Sequence, residues 1–321
     1  MAKTVPSPEA PNLEIHDGTD IPVGNWVDRV LPAAARPYAR LMRLDRPICT
    51  WLLLFPCWWS LALAPGPADL RLALLFVAFG LGAVIMRGAG CTWNDVTDRE
   101  FDARVARTRT RPIPSGQLSV RQALAFMAAQ MLVGFAILIS FNNFAVAVGA
   151  ASLVLVFTYP LMKRVTYWPQ FFLGLAFNYG ALLGWAAVTG DLDWPALALY
   201  VAGISWTLGY DTIYAHQDKE DDALIGVKST ALRFGRATKP WLVGFYAATV
   251  ALLALTGALR GLTWIFYAAL ALGAVQLAWQ IRDADLDDPA DCLAKFKSNR
   301  LFGWLILTGI FFAAHWSAWT S

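Results

Sequence analysis

The sequence predicts an all-α integral membrane protein with nine transmembrane helices. Three observations carry this. The chain of 321 residues is 57% hydrophobic and 15% charged, whereas soluble domains run at about 45–50% and about 25%. Nine apolar stretches approach the roughly 20 residues a helix needs to cross the hydrocarbon: 48–64, 72–93, 121–141, 144–160, 169–189, 195–216, 240–259, 262–281 and 301–319. Threaded through a bilayer in that order, they leave all of the 26 Lys and Arg residues except Arg71 and Arg260 on one side. That bias marks the cytoplasmic face. Shifting the count by one helix would scramble the sorting, so it supports the number of helices as well as their orientation. The expected setting is a bacterial cell inner membrane, with the N-terminus on the cytoplasmic side. The net charge of +3 says little by itself.

Residues 1–25 carry Pro6, Pro8, Pro11, Gly18, Pro22 and Gly24 with no apolar run, and read as a disordered cytoplasmic tail. No signal-peptide core is visible. Glu9, Glu14, Asp17 and Asp20 against the single Lys3 are unlike an Arg-rich, acid-poor mitochondrial presequence. Residues 26–321 read as one transmembrane domain. Its first part, 26–46, mixes Trp26, Val27, Val30, Leu31, Leu41, Met42 and Leu44 with five arginines. That pattern suits an amphipathic helix lying at an anionic leaflet. Pro47 then suits the first turn of the first span.

The second span contains Arg87 and runs into an acidic stretch, residues 94–102. Asn94, Asp98 and Asp102 are spaced i, i+4, i+8, and form one stripe if the helix continues past the lipid. Arg87, seven residues before Asn94, projects from the same face; Asp95 lies about 100° away. The basic loop Arg104, Arg107, Arg109, Arg111 follows, and Pro112, Pro114 and Ser115-Gly116 close it in a turn. Tyr159 and Lys163 sit i, i+4 at the end of the fourth span, beside Arg164. The fifth span is rich in aromatics, Phe171, Phe172, Phe177 and Tyr179, which read as lipid-facing or core. The sixth ends in a second acidic constellation, where the spacing of Asp211, Asp218 and Asp222 puts all three on one helical face. His216 beside them reads as a hydrogen-bonding neighbour rather than a ligand. A basic segment with Lys228 precedes the seventh span. Spans seven to nine lack a carboxylate stripe and read as scaffold, and the mixed-charge segment 282–300 reads as solvated. Cys49, Cys57, Cys91 and Cys292 show no metal-binding spacing and read as small buried residues.

Carboxylates crowded at a hydrophobic edge repel one another and are costly there. A divalent cation relieves both problems. Carboxylates hold Mg²⁺ through few contacts and leave room for phosphate oxygens, and flanking Arg and Lys take up the remaining phosphate charge. Two acidic clusters at one membrane rim, ringed by basic residues, therefore point to a diphosphate ligand. The rim location points to a lipid diphosphate, and a prenyl diphosphate meets both requirements. Mg²⁺ would neutralise the departing diphosphate, and an aromatic-lined cavity would hold the allylic cation. A cation transporter is the rival of a different class. It predicts acidic residues at mid-membrane on several helices, whereas these lie at one rim.

The same residues resemble the UbiA-type membrane prenyltransferases. The resemblance rests on Asn94-x3-Asp98-x3-Asp102, Asp218-x3-Asp222, the stretch Leu41 to Pro47, Arg107-x3-Arg111-Pro112-x-Pro114-Ser115-Gly116, and Gly226-x-Lys228-Ser229-Thr230. It covers roughly residues 38–320. Tyr210-Asp211-Thr212-x-Tyr214-Ala215 and Tyr159-Pro160-x-Met162-Lys163-Arg164 are most like the branch that prenylates 4-hydroxybenzoate in ubiquinone synthesis. The resemblance implies a ring of nine helices around a central cavity, capped on the cytoplasmic side and open sideways to lipid. It implies Mg²⁺ at Asn94, Asp98, Asp102, Asp218 and Asp222, with polyprenyl diphosphate and 4-hydroxybenzoate as substrates. Arg43, Arg46, Arg87, Tyr159, Lys163 and Lys228 would contact the diphosphate or close over it, and Arg164 would take the aromatic carboxylate. Asp218 and Asp211 are the candidates for taking the ring proton. Other acceptors of the superfamily are haem, homogentisate, chlorophyllide and naphthoate. No nucleic acid or protein partner is expected. Cys49 stands where the family usually has glycine.

Overall fold

The computed structural model describes residues 19–22, 24–105 and 107–315. Among them every regular element is helical. In chain order these are α1 (Trp26–Val30), α2 (Arg36–Leu41), α3 (Ile48–Leu63), α4 (Leu70–Asp102), α5 (Val120–Leu138), α6 (Asn143–Thr158), α7 (Met162–Val165), α8 (Pro169–Phe177), α9 (Gly180–Thr189), α10 (Trp194–Ala215), α11 (Lys219–Ile225), α12 (Thr230–Phe234), α13 (Thr238–Leu259), α14 (Trp264–Asp283) and α15 (Pro289–His315). Among the described residues, six helical segments are long and apolar enough to cross a membrane, and α3 is a shorter apolar helix. Leu74, Val77, Leu81, Leu132, Val133, Ile139, Leu272 and Val275 face outward. An apolar exterior of this extent suits lipid rather than water.

α4 decides where the chemistry sits. Its Asp69 cap accepts from the Leu72 amide, and the helix then runs 33 residues without a break. At 1.5 Å per residue that is roughly 50 Å, well beyond a hydrocarbon thickness of about 30 Å. The last turns therefore carry Asn94, Asp98 and Asp102 past the lipid, as the spacing predicts. Ser119 and Gln122 form a capping box that starts α5, and Asn142 caps α6. The expected fifth span is two helices, α8 and α9. Asn178 between them turns its amide to the Gly174 carbonyl at 2.9 Å and to Thr207 Oγ1 at 2.8 Å. A polar side chain that bonds locally and reaches across to α10 offers the backbone an alternative to a continuous helix.

Packing at the centre is aromatic. Trp59 of α3, Trp206 and Tyr210 of α10 and Phe302 of α15 are buried together, and both indoles are satisfied, by Gly303 O at 2.9 Å and Asn299 Oδ1 at 2.8 Å. α15 lies so close to α3 that a Cβ on Gly303 would come within 2.2 Å of the Phe55 ring. Small residues permit such approaches between membrane helices.

Two expectations for the N-terminal region need correction. Residues 26–46 are two short helices, because Pro32 follows α1 and interrupts the pattern; Arg40 and Asp28 pair across the break. The expected disordered tail, 1–25, lies outside the described residues up to position 18. Thr19 to Pro22 instead line the central cavity, with Ile21 buried.

The segment 282–300 is also not simply solvated. Lys295 on α15 is 4% exposed, bonded to Asp283 at 2.8 Å and Asp291 at 2.7 Å.

Candidate active site

A cavity of about 840 Å³ opens where α4, α10, α11 and α15 converge, within the usual range for small-molecule sites. Its apolar part is Ile48, Leu173, Phe177, Tyr210, Leu293 and Phe296. Its polar part gathers most of the residues expected from sequence: Asn94, Asp98, Asp102, Asp211, Asp218, Asp222, Arg43, Arg46, Arg87, Tyr159 and Lys163. Regular helix stops between Asp211 and Asp218, where His216–Asp218 form a 3-10 turn. The shared helical face expected for Asp211, Asp218 and Asp222 is thus interrupted, yet all three still line the cavity.

The carboxylates are not bare. Asp98 pairs with Lys163 at 2.5 Å. Asp102 pairs with Arg111 at 3.0 Å. Asp218 receives both arms of Arg107, Nε to Oδ1 at 2.8 Å and Nη2 to Oδ2 at 2.6 Å. Among the described residues, no three carboxylates, histidines or cysteines are gathered closely enough to hold a metal by themselves. The donor set nevertheless fits Mg²⁺, which takes one or two hard carboxylate oxygens per site and completes its shell with water and phosphate. Each cation now on a carboxylate is a side chain able to turn to phosphate instead. Burial and the neighbouring Asp218 push the Asp222 carboxyl up to about 7. Burial works against charge on Arg111, but Asp20, Asp95 and Asp102 more than restore it.

Asp95 supports rather than ligates. It is fully buried and accepts from Arg43 Nη2 at 2.6 and 2.9 Å. Arg43 has φ +59°, the one positive value among the described non-glycine residues. A backbone held there persists only when its surroundings over-determine it, and the Asp95 bond is part of that constraint. Arg43 is therefore tied to α4 rather than free for diphosphate.

Two expected residues lie away from the cavity lining. Arg164 is exposed, with Nη2 3.4 Å from Asp98 Oδ1 and its guanidinium over Phe101. Lys228 gives its ammonium to the Val165 carbonyl at 3.0 Å, over Tyr167. Its backbone N–H donates to Lys163 O at 2.9 Å, which joins the 226–236 segment to α7. His216 is a hydrogen-bonding neighbour, as expected: Nε2 lies 3.1 Å from Thr238 Oγ1. Burial, with Lys219 nearby, pushes its imidazolium down to about 4.

The sequence reading missed Lys297, which lines the cavity from α15, in the segment 282–300 expected to be solvated. It also missed Asp20, the carboxylate of three arginines described below. Arg107 and Arg111 were visible as a motif but not as partners of Asp218 and Asp102.

Arg87 stands apart from the other cavity arginines. Among the described residues it has no carboxylate within ion-pairing distance, while Arg43, Arg46, Arg107 and Arg111 all have one. Its Nε is buried without a hydrogen-bond partner, and its guanidinium lies 5.4 Å from the Phe177 ring centre.

The match that decides the lineage is to the UbiA prenyltransferase family model, over residues 53–317. The chain belongs to the UbiA prenyltransferase family. It is 52% identical over 305 residues to the mitochondrial 4-hydroxybenzoate polyprenyltransferase of Arabidopsis thaliana, covering 94% of this chain and 75% of that protein. To the Homo sapiens protein of the same name it is 51% identical over 287 residues, covering 89% and 77%. Among solved structures, the apo UbiA homolog of Aeropyrum pernix K1 superposes with a TM-score of 0.69 at 25% identity, over 82% of this chain and 96% of that one. A UbiA homolog of Archaeoglobus fulgidus bound to GPP and Mg²⁺ shares the fold, with a TM-score of 0.62 at 18% identity, over 87% and 99%. The expected bacterial inner membrane is overturned by these relatives, which are mitochondrial by name. The acid-rich start of the chain misled that inference.

Proposed function

We propose that this UbiA family member transfers a polyprenyl group from polyprenyl diphosphate to 4-hydroxybenzoate, at the ring carbon ortho to the hydroxyl, an early step of ubiquinone biosynthesis. The names of its relatives support the acceptor, and the ligands of the A. fulgidus homolog support a prenyl diphosphate and Mg²⁺. The observation that carries the reading is Arg87, a half-buried arginine whose Nε is buried without a hydrogen-bond partner and which has no carboxylate within ion-pairing distance among the described residues. It is offered to the carboxylate of the acceptor, in place of Arg164.

Arg87 and Asn94 are seven residues apart on one helix, a rise of about 10 Å. An aromatic ring with its carboxylate on Arg87 points its phenol end back toward the acidic stripe. The diphosphate lies there, with Arg46, Tyr159, Lys163, Arg107 and Arg111 around it and the prenyl chain along the apolar wall. Asn94, Asp98, Asp102, Asp218 and Asp222 are the residues that would hold Mg²⁺, which would supply neutralisation of the leaving diphosphate. The allylic C–O bond breaks, the electron-rich ring carbon attacks the allylic cation, and the ring loses its proton. Asp218, proposed here as a holder of the metal, is not free to take that proton. Asp211 lines the cavity with no ion pair among the described residues and is the acceptor. A ring of nine crossings (α3, α4, α5, α6, the α8–α9 pair, α10, α13, α14 and α15) belongs to the same proposal, with residues 19–46, 103–119 and 216–237 as its cap.

Losing a buried charge-assisted pair costs several kcal/mol. Arg87→Gln is therefore expected to raise KM for 4-hydroxybenzoate by about 100-fold, with the KM for prenyl diphosphate nearly unchanged. Arg164→Gln is expected to change neither. Steady-state kinetics on both variants check this; an acceptor KM that responds to Arg164 and not to Arg87 would reverse the assignment.

A further inference from the structure

The N-terminal segment Thr19–Pro22 enters the cavity, and Asp20 meets a cradle of three arginines. Its Oδ2 lies 2.8 Å from Arg111 Nη2 and 3.4 Å from Arg107 Nη1, and its Oδ1 lies 3.4 Å from Arg46 Nη2. The backbone joins in. Arg46 Nη1 donates to Asp20 O at 2.6 Å, and the Asp20 amide donates to Arg107 O at 3.0 Å. Thr19 Oγ1 bonds Thr110 Oγ1 at 2.5 Å. The Asp20 side chain is 10% exposed. Burial alone would raise its pKa, but Arg111, Arg46, Arg43 and Arg107 hold it well below the usual carboxylate range, so it is an anion at any working pH.

Guanidinium groups bind carboxylate and phosphate oxygens with the same bidentate geometry. A cradle that holds Asp20 is therefore built to hold a phosphate. Two of its arginines also hold metal-site carboxylates, Arg107 on Asp218 and Arg111 on Asp102. Asp20 thus closes a continuous network across the site mouth, in which both carboxylates face cations of the chain itself. Ligand entry requires that network to open.

Resting on the diphosphate reading above, we propose that Asp20 is a built-in phosphate mimic. The segment Thr19–Pro22 is a strap that occupies the outer phosphate position of the substrate-free enzyme and competes with the diphosphate for Arg46, Arg107 and Arg111. A diphosphate carries more charge and more oxygens than one carboxylate, so it displaces the strap when it enters. The strap then lowers apparent affinity for the diphosphate and shields the arginines from lesser anions.

The test is calorimetric binding of inorganic pyrophosphate with Mg²⁺ to the full chain in detergent, native and Asp20→Asn. Expected is binding several-fold tighter in the variant. The pyrophosphate-induced rise in Tm is expected to be larger too, even though loss of the arginine contacts lowers the starting Tm. Asp20→Glu, which keeps the charge, is expected to bind like the native chain. Equal or weaker binding by Asp20→Asn, with native binding intact, overturns the strap and makes Asp20 a structural clip or a ligand-binding residue. No pyrophosphate binding by either protein overturns the diphosphate reading itself, and the strap with it.

Discussion

Asp98→Ala is expected to lower turnover by about 10³-fold or more. A cation that neutralises a departing diphosphate contributes several kcal/mol to the transition state, and each 1.4 kcal/mol is about tenfold in rate. Asp98 is the middle residue of the α4 stripe, 1% exposed, with Lys163 Nζ at 2.5 Å. Alanine removes the carboxylate proposed to hold the ion and leaves Lys163 without its partner. Asp98→Asn separates the two effects, since it keeps the shape and a hydrogen-bond acceptor for Lys163 while halving the donor oxygens. Both variants are expected to lose pyrophosphate binding along with activity, and Asp98→Asn is expected to keep the native Tm within a few degrees. A near-normal rate in either would remove Asp98 from the metal site.

Asp211→Asn is expected to behave differently. Its carboxylate lines the cavity and makes no ion pair among the described residues. General-base catalysis contributes about 10²–10⁴-fold. kcat is therefore expected to fall by about 10³-fold, while Mg²⁺-dependent pyrophosphate binding and the KM for 4-hydroxybenzoate stay close to native. A loss of pyrophosphate binding in this variant would place Asp211 in the metal site instead. An unchanged kcat would pass the proton to Asp218 or to water.

The contrast between these residues shows what helical period reveals and what it hides. Asn94, Asp98 and Asp102 are legible because one uninterrupted helix of 33 residues carries them, and a spacing of four maps directly onto one face. Asp211, Asp218 and Asp222 are legible as a cluster but not as a surface, since a 3-10 turn at His216–Asp218 changes the direction between them. Arg87 is visible as a charge in an apolar span. Its role depends on which arginines already have partners, and that is a property of the folded cavity. Arg164 looks equivalent to Lys163 in sequence, yet adjacent helical residues face different ways: Lys163 enters the cavity and Arg164 lies over Phe101. Asp20 sits in a proline- and glycine-rich stretch with no period to read. Its function comes from three arginines on distant segments, 26, 87 and 91 residues away.

The measurement that bears most directly on the proposed reaction is an assay of the purified chain with 4-hydroxybenzoate, Mg²⁺ and prenyl diphosphates of increasing length. Expected is one product, carrying the prenyl chain on the carbon ortho to the hydroxyl, with one diphosphate released per product and no turnover once the metal is chelated. Turnover that survives chelation would contradict the metal assignment. Prenylation of another aromatic acceptor with none of 4-hydroxybenzoate would contradict the assignment of the substrate.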